Sequence, residues 1–282
     1  MCRVFYIRGK NPEIVKVVTL YSINESYRTG NEDGYFFVTN TLNSIRTLDF
    51  VEYVNEVKRA QFNEIFCHLR LATSEVNEKG IHGWKFKLLN DVYFTAHNGV
   101  LGEPKKGYPD TYWFFKFLEG SKTAEELTER VEEYAEIHYG YGVFMAVSKF
   151  FEKLLLINIR TDSYCYELEI EYKGQKDKVI LLTSKRDIVP ENGSNEFTIY
   201  SYEEKTEEKI ENGKKRTIIY KVLKDRLYSD SFKVTNKKYI KLKENKLWLI
   251  DLSNETKEYE KELEINGYYL KGGYGGYYYK YY

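Results

Sequence analysis

Phe94-Thr95-Ala96-His97-Asn98-Gly99-Val100-Leu101 (residues 94–101) is the stretch on which the fold turns. The apolar, β-favouring run Val92 to Ala96 stops at His-Asn-Gly, which reads as a buried strand delivering an amide side chain and a glycine to an open edge. An Asn amide beside a Gly backbone N–H can form an oxyanion hole, two fixed donors aimed at a carbonyl oxygen as it takes up charge. By itself His-Asn-Gly reads first as a hairpin turn. A hole, however, needs a nucleophile, and Cys2 would head the mature chain once Met1 is removed.

Cys2-Arg3-Val4-Phe5-Tyr6-Ile7-Arg8-Gly9 alternates as a strand and stops at Gly9. In the bland reading Cys2 is an ordinary buried thiol. In the chemical reading a processed Cys2 carries a thiol and a free α-amine titrating near ~7.7–8.0, so nucleophile and base share one residue. Asn31 to Val38 is a turn at Asp33-Gly34 followed by an apolar strand. Leu48 to Ile65, with Val51, Val54 and Val57 at helical spacing, is an amphipathic helix. In the strand Ile65 to Thr73, alternation sets His68, Arg70 and Ala72 on one face and Cys67, Leu69 and Leu71 on the other. Arg70 in so apolar a strand needs an anion, either a structural carboxylate or a substrate carboxylate gripped by its planar fork.

Beyond residues 94–101, Asp110 stands where it can cap a helix or hold an ammonium. A second helix starts at Thr123, a capping box, with Leu127, Val131, Tyr134 and His138 as its stripe. Strands follow at 141–149, 153–160, 163–172, 178–184 and 196–203. Strands, helices, then strands point to an α+β fold. Residues 206–282 form a separate basic extension with short strands at 216–222, 238–242, 246–251 and 263–270, ending in the Gly/Tyr-rich stretch 267–282.

The 43 Lys and Arg balance 43 Asp and Glu over 282 residues, so charge speaks against nucleic acid and membrane surfaces as partners. No apolar run approaches the roughly 20 residues that span a bilayer, and no signal-peptide pattern precedes Cys2. The three cysteines, Cys2, Cys67 and Cys165, lie in no CxxC spacing, which fits a reducing cytoplasm better than a disulfide framework or a zinc site. No cofactor or metal is expected.

Taken in order, Met-Cys-Arg at 1–3, Asp33-Gly34, His68-x-Arg70-x-Ala72-Thr73, His82, Ala96-His97-Asn98-Gly99 and Asp110-Thr111 resemble the class II glutamine amidotransferases of the N-terminal nucleophile (Ntn) hydrolases. The resemblance covers residues 1–205, and Met-Cys-Arg is closer to the stand-alone branch that includes γ-glutamyl amide hydrolases. It implies a four-layer αββα sandwich, here with a mainly β C-terminal extension. It implies catalytic roles for Cys2 as nucleophile and for Asn98 and Gly99 as oxyanion hole. Arg70 is expected on the substrate α-carboxylate and Asp110 on its α-ammonium, with Thr73 and His97 also on the substrate side. The implied reaction is hydrolysis of the glutamine γ-amide through a γ-glutamyl thioester. A γ-glutamyl peptide hydrolase and an inactive scaffold are the alternatives, and any ammonia acceptor is a separate synthase. The sequence departs from the family at Arg3, where many members have Gly, at Gly83, where Pro usually follows the His, and at Tyr35-Phe36 after Asp33-Gly34.

Overall fold

The computed structural model describes residues 2–72, 76–211, 214–254 and 256–265. In chain order its elements are β1 (Arg3–Arg8), α1 (Pro12–Arg28), β2 (Tyr35–Thr39), β3 (Ser44–Thr47), α2 (Phe50–Arg59), β4 (Glu64–Leu69), β5 (Trp84–Leu88) and β6 (Asp91–Leu101). Then come α3 (Asp110–Leu118), α4 (Ala124–Ile137), β7 (Gly140–Ser148), β8 (Lys153–Ile159), β9 (Ser163–Tyr172) and β10 (Gln175–Thr183). The last are β11 (Gly193–Glu211), β12 (Lys214–Leu242), β13 (Lys246–Asp251) and β14 (Thr256–Glu262).

Period-two alternation sorts these strands into two sheets with three apolar layers. The eight-stranded sheet runs β11-β12-β9-β10-β1-β4-β2-β3 and the six-stranded sheet β14-β13-β8-β7-β6-β5. On β1, Phe5 and Ile7 face outward to Ile14 and Val18 of α1 and Val54 and Val57 of α2. Val4 and Tyr6 face inward and meet Phe94, Ala96, Val143 and Met145 of the other sheet. Phe86, Phe144 and Leu155 close the third layer against Phe114 and Phe115 of α3 and Leu127 and Val131 of α4. The result is the expected αββα sandwich.

Several local expectations change. The strand read as ending at Ala96 continues through His97-Asn98-Gly99 to Leu101, so these residues are neither a turn nor a strand end. β7 pairs with β6 along this whole length, with Gly99 opposite Gly142, and that ladder carries the strand past its polar residues. The helix expected over 48–65 spans only Phe50–Arg59, and β4 stops at Leu69 rather than Thr73. Residues 216–222 and 238–242 belong to one 29-residue strand, β12. Within 263–270 the described residues 263–265 form no strand; the strand lies earlier, at Thr256–Glu262. Residue 205 falls inside β11, and beyond it β12 pairs with β9 and β13 with β8. The Tyr-rich stretch 267–282 lies outside the described residues. Among those described, no helix is long and apolar enough to cross a membrane.

Helix α1 has no counterpart among the sequence expectations. Its signal was Asn11-Pro12: the Asn11 Oδ1 accepts from Glu13 N at 3.0 Å and Ile14 N at 3.3 Å, and Pro12 fills the first turn. No apolar stripe marks it because it is covered on nearly all sides. Thr19, Ser22 and Ser26 are buried with it, their hydroxyls spent on the carbonyls of Val15, Ile188 and Ser22. With packing this extensive, the cap sets where the helix begins. Asn11→Ala should lower unfolding free energy by about 1 kcal/mol, read as a shift of the urea midpoint at unchanged slope; an unmoved midpoint would show that packing alone defines the start.

Candidate active site

Cys2 immediately precedes β1. The antiparallel register that pairs Arg3 with Leu69 brings Cys2 to the turn after β4, where Leu71 N donates to its Sγ at 3.4 Å and the thiol reaches Leu71 O at 3.6 Å. Arg70, just beyond β4, is held by its backbone: its N–H donates to Gly34 O at 2.9 Å and its carbonyl accepts from Asp33 N at 3.0 Å. The Asp33 carboxylate accepts from Ala72 N at 2.7 Å, so Asp33-Gly34 is a brace for the Arg70 segment. The Arg70 guanidinium lies flat over Gly80, where a Cβ would sit 2.5 Å from Nη1. Thr73 lies outside the described residues.

Asp110 is the first residue of α3, one position inside the expected cap, with Pro109 at the cap itself. Its carboxylate accepts from Leu101 N at 2.6 Å and Thr111 N at 2.8 Å, tying the end of β6 to the start of α3. Charge completes the grouping. Burial pushes the Cys2 thiol up; the Leu71 N–H and the Arg70 guanidinium pull it down, and the Asp110 carboxylate pushes it up. Burial pulls Arg70 down, against the attraction of Cys2, Asp33 and Asp110. The Arg70 cation and the Asp110 anion thus both act on this sulfur.

Asn98 projects from β6 into the layer between the sheets, the face on which Val4 also lies. Its Nδ2 donates to Ser184 Oγ at 3.0 Å, and Ser184 Oγ accepts from Val4 N at 3.3 Å. Sequence reasoning missed Ser184; a lone serine after a buried strand carries no signature. Gly99 cannot be any other residue, since a Cβ there would sit 2.1 Å from Tyr141 O. Arg3 is explained by Asp187: a two-point ion pair joins them, and Arg3 Nη1 also donates to Cys2 O at 3.2 Å.

His97 points the other way from Asn98. Its ring stacks on Phe144 at 4.1 Å and its Nδ1 bonds Thr111 Oγ1 at 2.9 Å, so the structure places it in the layer under α3 rather than with Cys2. His82 Nδ1 accepts from His97 N at 3.1 Å, which puts the His82 proton on Nε2, 3.4 Å from Thr111 Oγ1. His68 stacks on His82 at 3.7 Å. The three rings stack rather than converge, and among the described residues no group of three or more His, Cys, Asp or Glu is arranged to hold a metal ion. A cleft of about 450 Å³ opens between the edge strands β3 and β5, over Phe36, Trp84 and Phe94; Cys2 does not line it.

All three imidazoles are buried, and burial holds each below its ordinary value, so they are neutral in the fold. In the unfolded chain they titrate near ~6.5. Above that pH neither state binds these protons. Below it the unfolded chain takes up protons that the fold refuses, so stability falls with falling pH by up to ~1.4 kcal/mol per unit for each ring. Urea unfolding should therefore show a decline from about pH 6.5 to about pH 5, above most carboxylate titration. His68→Phe should make that decline shallower; an equal slope in both proteins would contradict the assignment.

No family model matches the sequence and no curated protein matches it. Solved structures do. A glutamine phosphoribosylpyrophosphate (PRPP) amidotransferase from B. subtilis, complexed with ADP and GMP, aligns with a TM-score of 0.53 at 12% identity over 94% of this chain and 50% of its own. A structure described as the allosteric regulatory enzyme of purine biosynthesis gives 0.52 at 12% identity, again over 94% of this chain and 50% of its own. The chain thus spans about half the length of these two neighbours. At such identity the likeness is one of architecture, and it agrees with the resemblance read from the motifs: the chain has the fold of the class II glutamine amidotransferases.

Proposed function

We propose that the chain is a glutamine amidotransferase-type amidohydrolase that cleaves the γ-amide of glutamine through a γ-glutamyl thioester on Cys2. The observation that carries this reading is the Cys2 thiol held on the Leu71 backbone beside Arg70 by the β1–β4 register, where the Arg70 cation and the Asp110 anion both act on it. An α-amino acid presents the complementary pair, a carboxylate for the guanidinium fork and an ammonium for the carboxylate. Cys67 and Cys165 have no such setting, and burial pushes the Cys165 thiol up to about 11.

In this mechanism the Cys2 sulfur attacks the γ-carbonyl carbon. The thiol is pushed up and so protonated at neutral pH, and it needs a base; removal of Met1 would supply the α-amine of Cys2 itself. The carbonyl oxygen becomes anionic and takes hydrogen bonds from the free Asn98 Nδ2–H and the Gly99 N–H. Collapse of the tetrahedral intermediate breaks the C–N bond. Ammonia leaves with the proton taken from the thiol, and water then cleaves the thioester to glutamate and free Cys2. The first neighbour's name joins glutamine to PRPP; only the glutamine half has support in this site, and the ammonia passes to a separate acceptor enzyme or to solution. Three free cysteines accord with a reducing, cytoplasmic setting.

Cys2→Ala should abolish glutamine hydrolysis while Cys67→Ala and Cys165→Ala stay active; turnover by the Cys2 variant would sink the mechanism. Asn98→Ala should lower kcat by about 10²–10³, or ~2.7–4 kcal/mol, with a much smaller change in KM. Steady-state kinetics beside a thermal melt separates this from a merely structural asparagine, which would lose Tm and keep kcat.

Gly80→Ala tests the clamp without altering its chemistry. The added methyl forces the Arg70 guanidinium aside, so KM for glutamine should rise at least about tenfold, ~1.4 kcal/mol, with Tm nearly unmoved. An unchanged KM would remove Arg70 from substrate binding.

A further inference from the structure

We propose that Ser184 is the positioning residue of the oxyanion hole, fixing the Asn98 amide to the strand that carries Cys2; this rests on the reading of Asn98 given above. Ser184 is buried one residue beyond β10 and is fastened to β1 from two sides. Its N–H donates to Val4 O at 3.0 Å, and its Oγ accepts from Val4 N at 3.3 Å. Val4 is two residues from Cys2, so Ser184 cannot shift without moving the nucleophile strand.

Asn98 belongs to the other sheet. The terminal torsion of an asparagine is broad and two-fold, so a side chain without a partner would turn its amide freely. Among the described residues Ser184 is the one hydrogen-bond partner of the Asn98 side chain, whose Oδ1 is buried without a partner. The bond to Ser184 takes one Nδ2 hydrogen and fixes the amide plane, which leaves the second hydrogen in a set direction. Without that bond, rotation would bring Oδ1, an acceptor, toward a developing anion.

The same corner also reaches the nucleophile. Asp187 holds the Arg3 guanidinium, and Arg3 Nη1 donates to the carbonyl of Cys2 at 3.2 Å. Nucleophile and hole come from different sheets and are therefore referred to one short segment, 184–187. Displacements near 1 Å at a reacting centre cost about 10²-fold in rate, so such a shared reference has catalytic value.

The test is steady-state glutamine hydrolysis and thermal melting on the full chain, its S184A, S184T and N98A variants and the S184A/N98A double variant. S184A should lower kcat roughly 10- to 100-fold with KM within about threefold. S184T, which keeps a hydroxyl, should recover most of the rate. In the N98A background S184A should cause no further loss, because Ser184 acts through Asn98. If S184A does not fold, S184C fills the space with a poor acceptor and takes its place. Wild-type kcat in S184A, or the same fold-loss with and without Asn98, overturns the proposal. A normal kcat in N98A instead overturns the oxyanion-hole reading itself, whereas an impaired N98A beside an unimpaired S184A overturns only the role of Ser184.

Discussion

The register between β1 and β4 is the constraint on which the site depends. It pairs Arg3 with Leu69 and runs without a shift to Arg8 and Glu64. Both faces of β1 are buried, in different layers, so a one-residue slip would drive Val4 and Tyr6 toward the helices and Phe5 and Ile7 into the space between the sheets. Two cores thus fix one register. Continued by one residue, it sets Cys2 opposite Arg70, and the thiol bonds Leu71 as observed. Cys2 is placed by packing it takes no part in.

A polar chain does the equivalent work for the opposite wall. His82 receives the N–H of His97, both rings bond Thr111, and Asp110 holds Leu101 N. These bonds join β6 to the start of α3, so the strand with Asn98 and Gly99 cannot move independently of the carboxylate at Asp110. The chain is buried throughout: His68, His82 and His97 are all but inaccessible, and burial holds the three rings neutral.

What the sequence made legible was whatever alternation or turn chemistry governs. His68 and Arg70 could be set apart from Cys67 and Leu69 by counting, and Cys67 and Leu69 do lie in the outer core with α1 and α2. Asp33-Gly34 stood out as turn residues. The extent of β6 was not legible, because His-Asn-Gly has turn propensity and only the β7 ladder overrides it. Helix α1 was hidden by burial on nearly every face, which erases the stripe that reveals a surface helix. His97 was grouped with the substrate residues by its neighbours in sequence, yet in a strand adjacent residues face opposite layers. Ser184 depends on a contact 86 residues away in sequence, which no local pattern encodes.

The Arg70 segment also has support from outside. Arg46 on the edge strand β3 donates from Nε to His82 O at 2.9 Å and from Nη2 to Ile81 O at 2.5 Å and Glu78 O at 3.4 Å. Three carbonyls of segment 78–82 are thus gathered by one guanidinium, whose planar fork also lies 5.6 Å over Trp84. That segment carries Gly80, the floor beneath Arg70, and His82, the first link to β6. Gly80 adds no side chain where the Arg70 guanidinium approaches this backbone. The second arginine can therefore lie flat against the main chain, its position set by a strand at the far edge of the sheet. Arg70 owes its charge to its own chemistry and its placement to Arg46, Asp33 and a glycine.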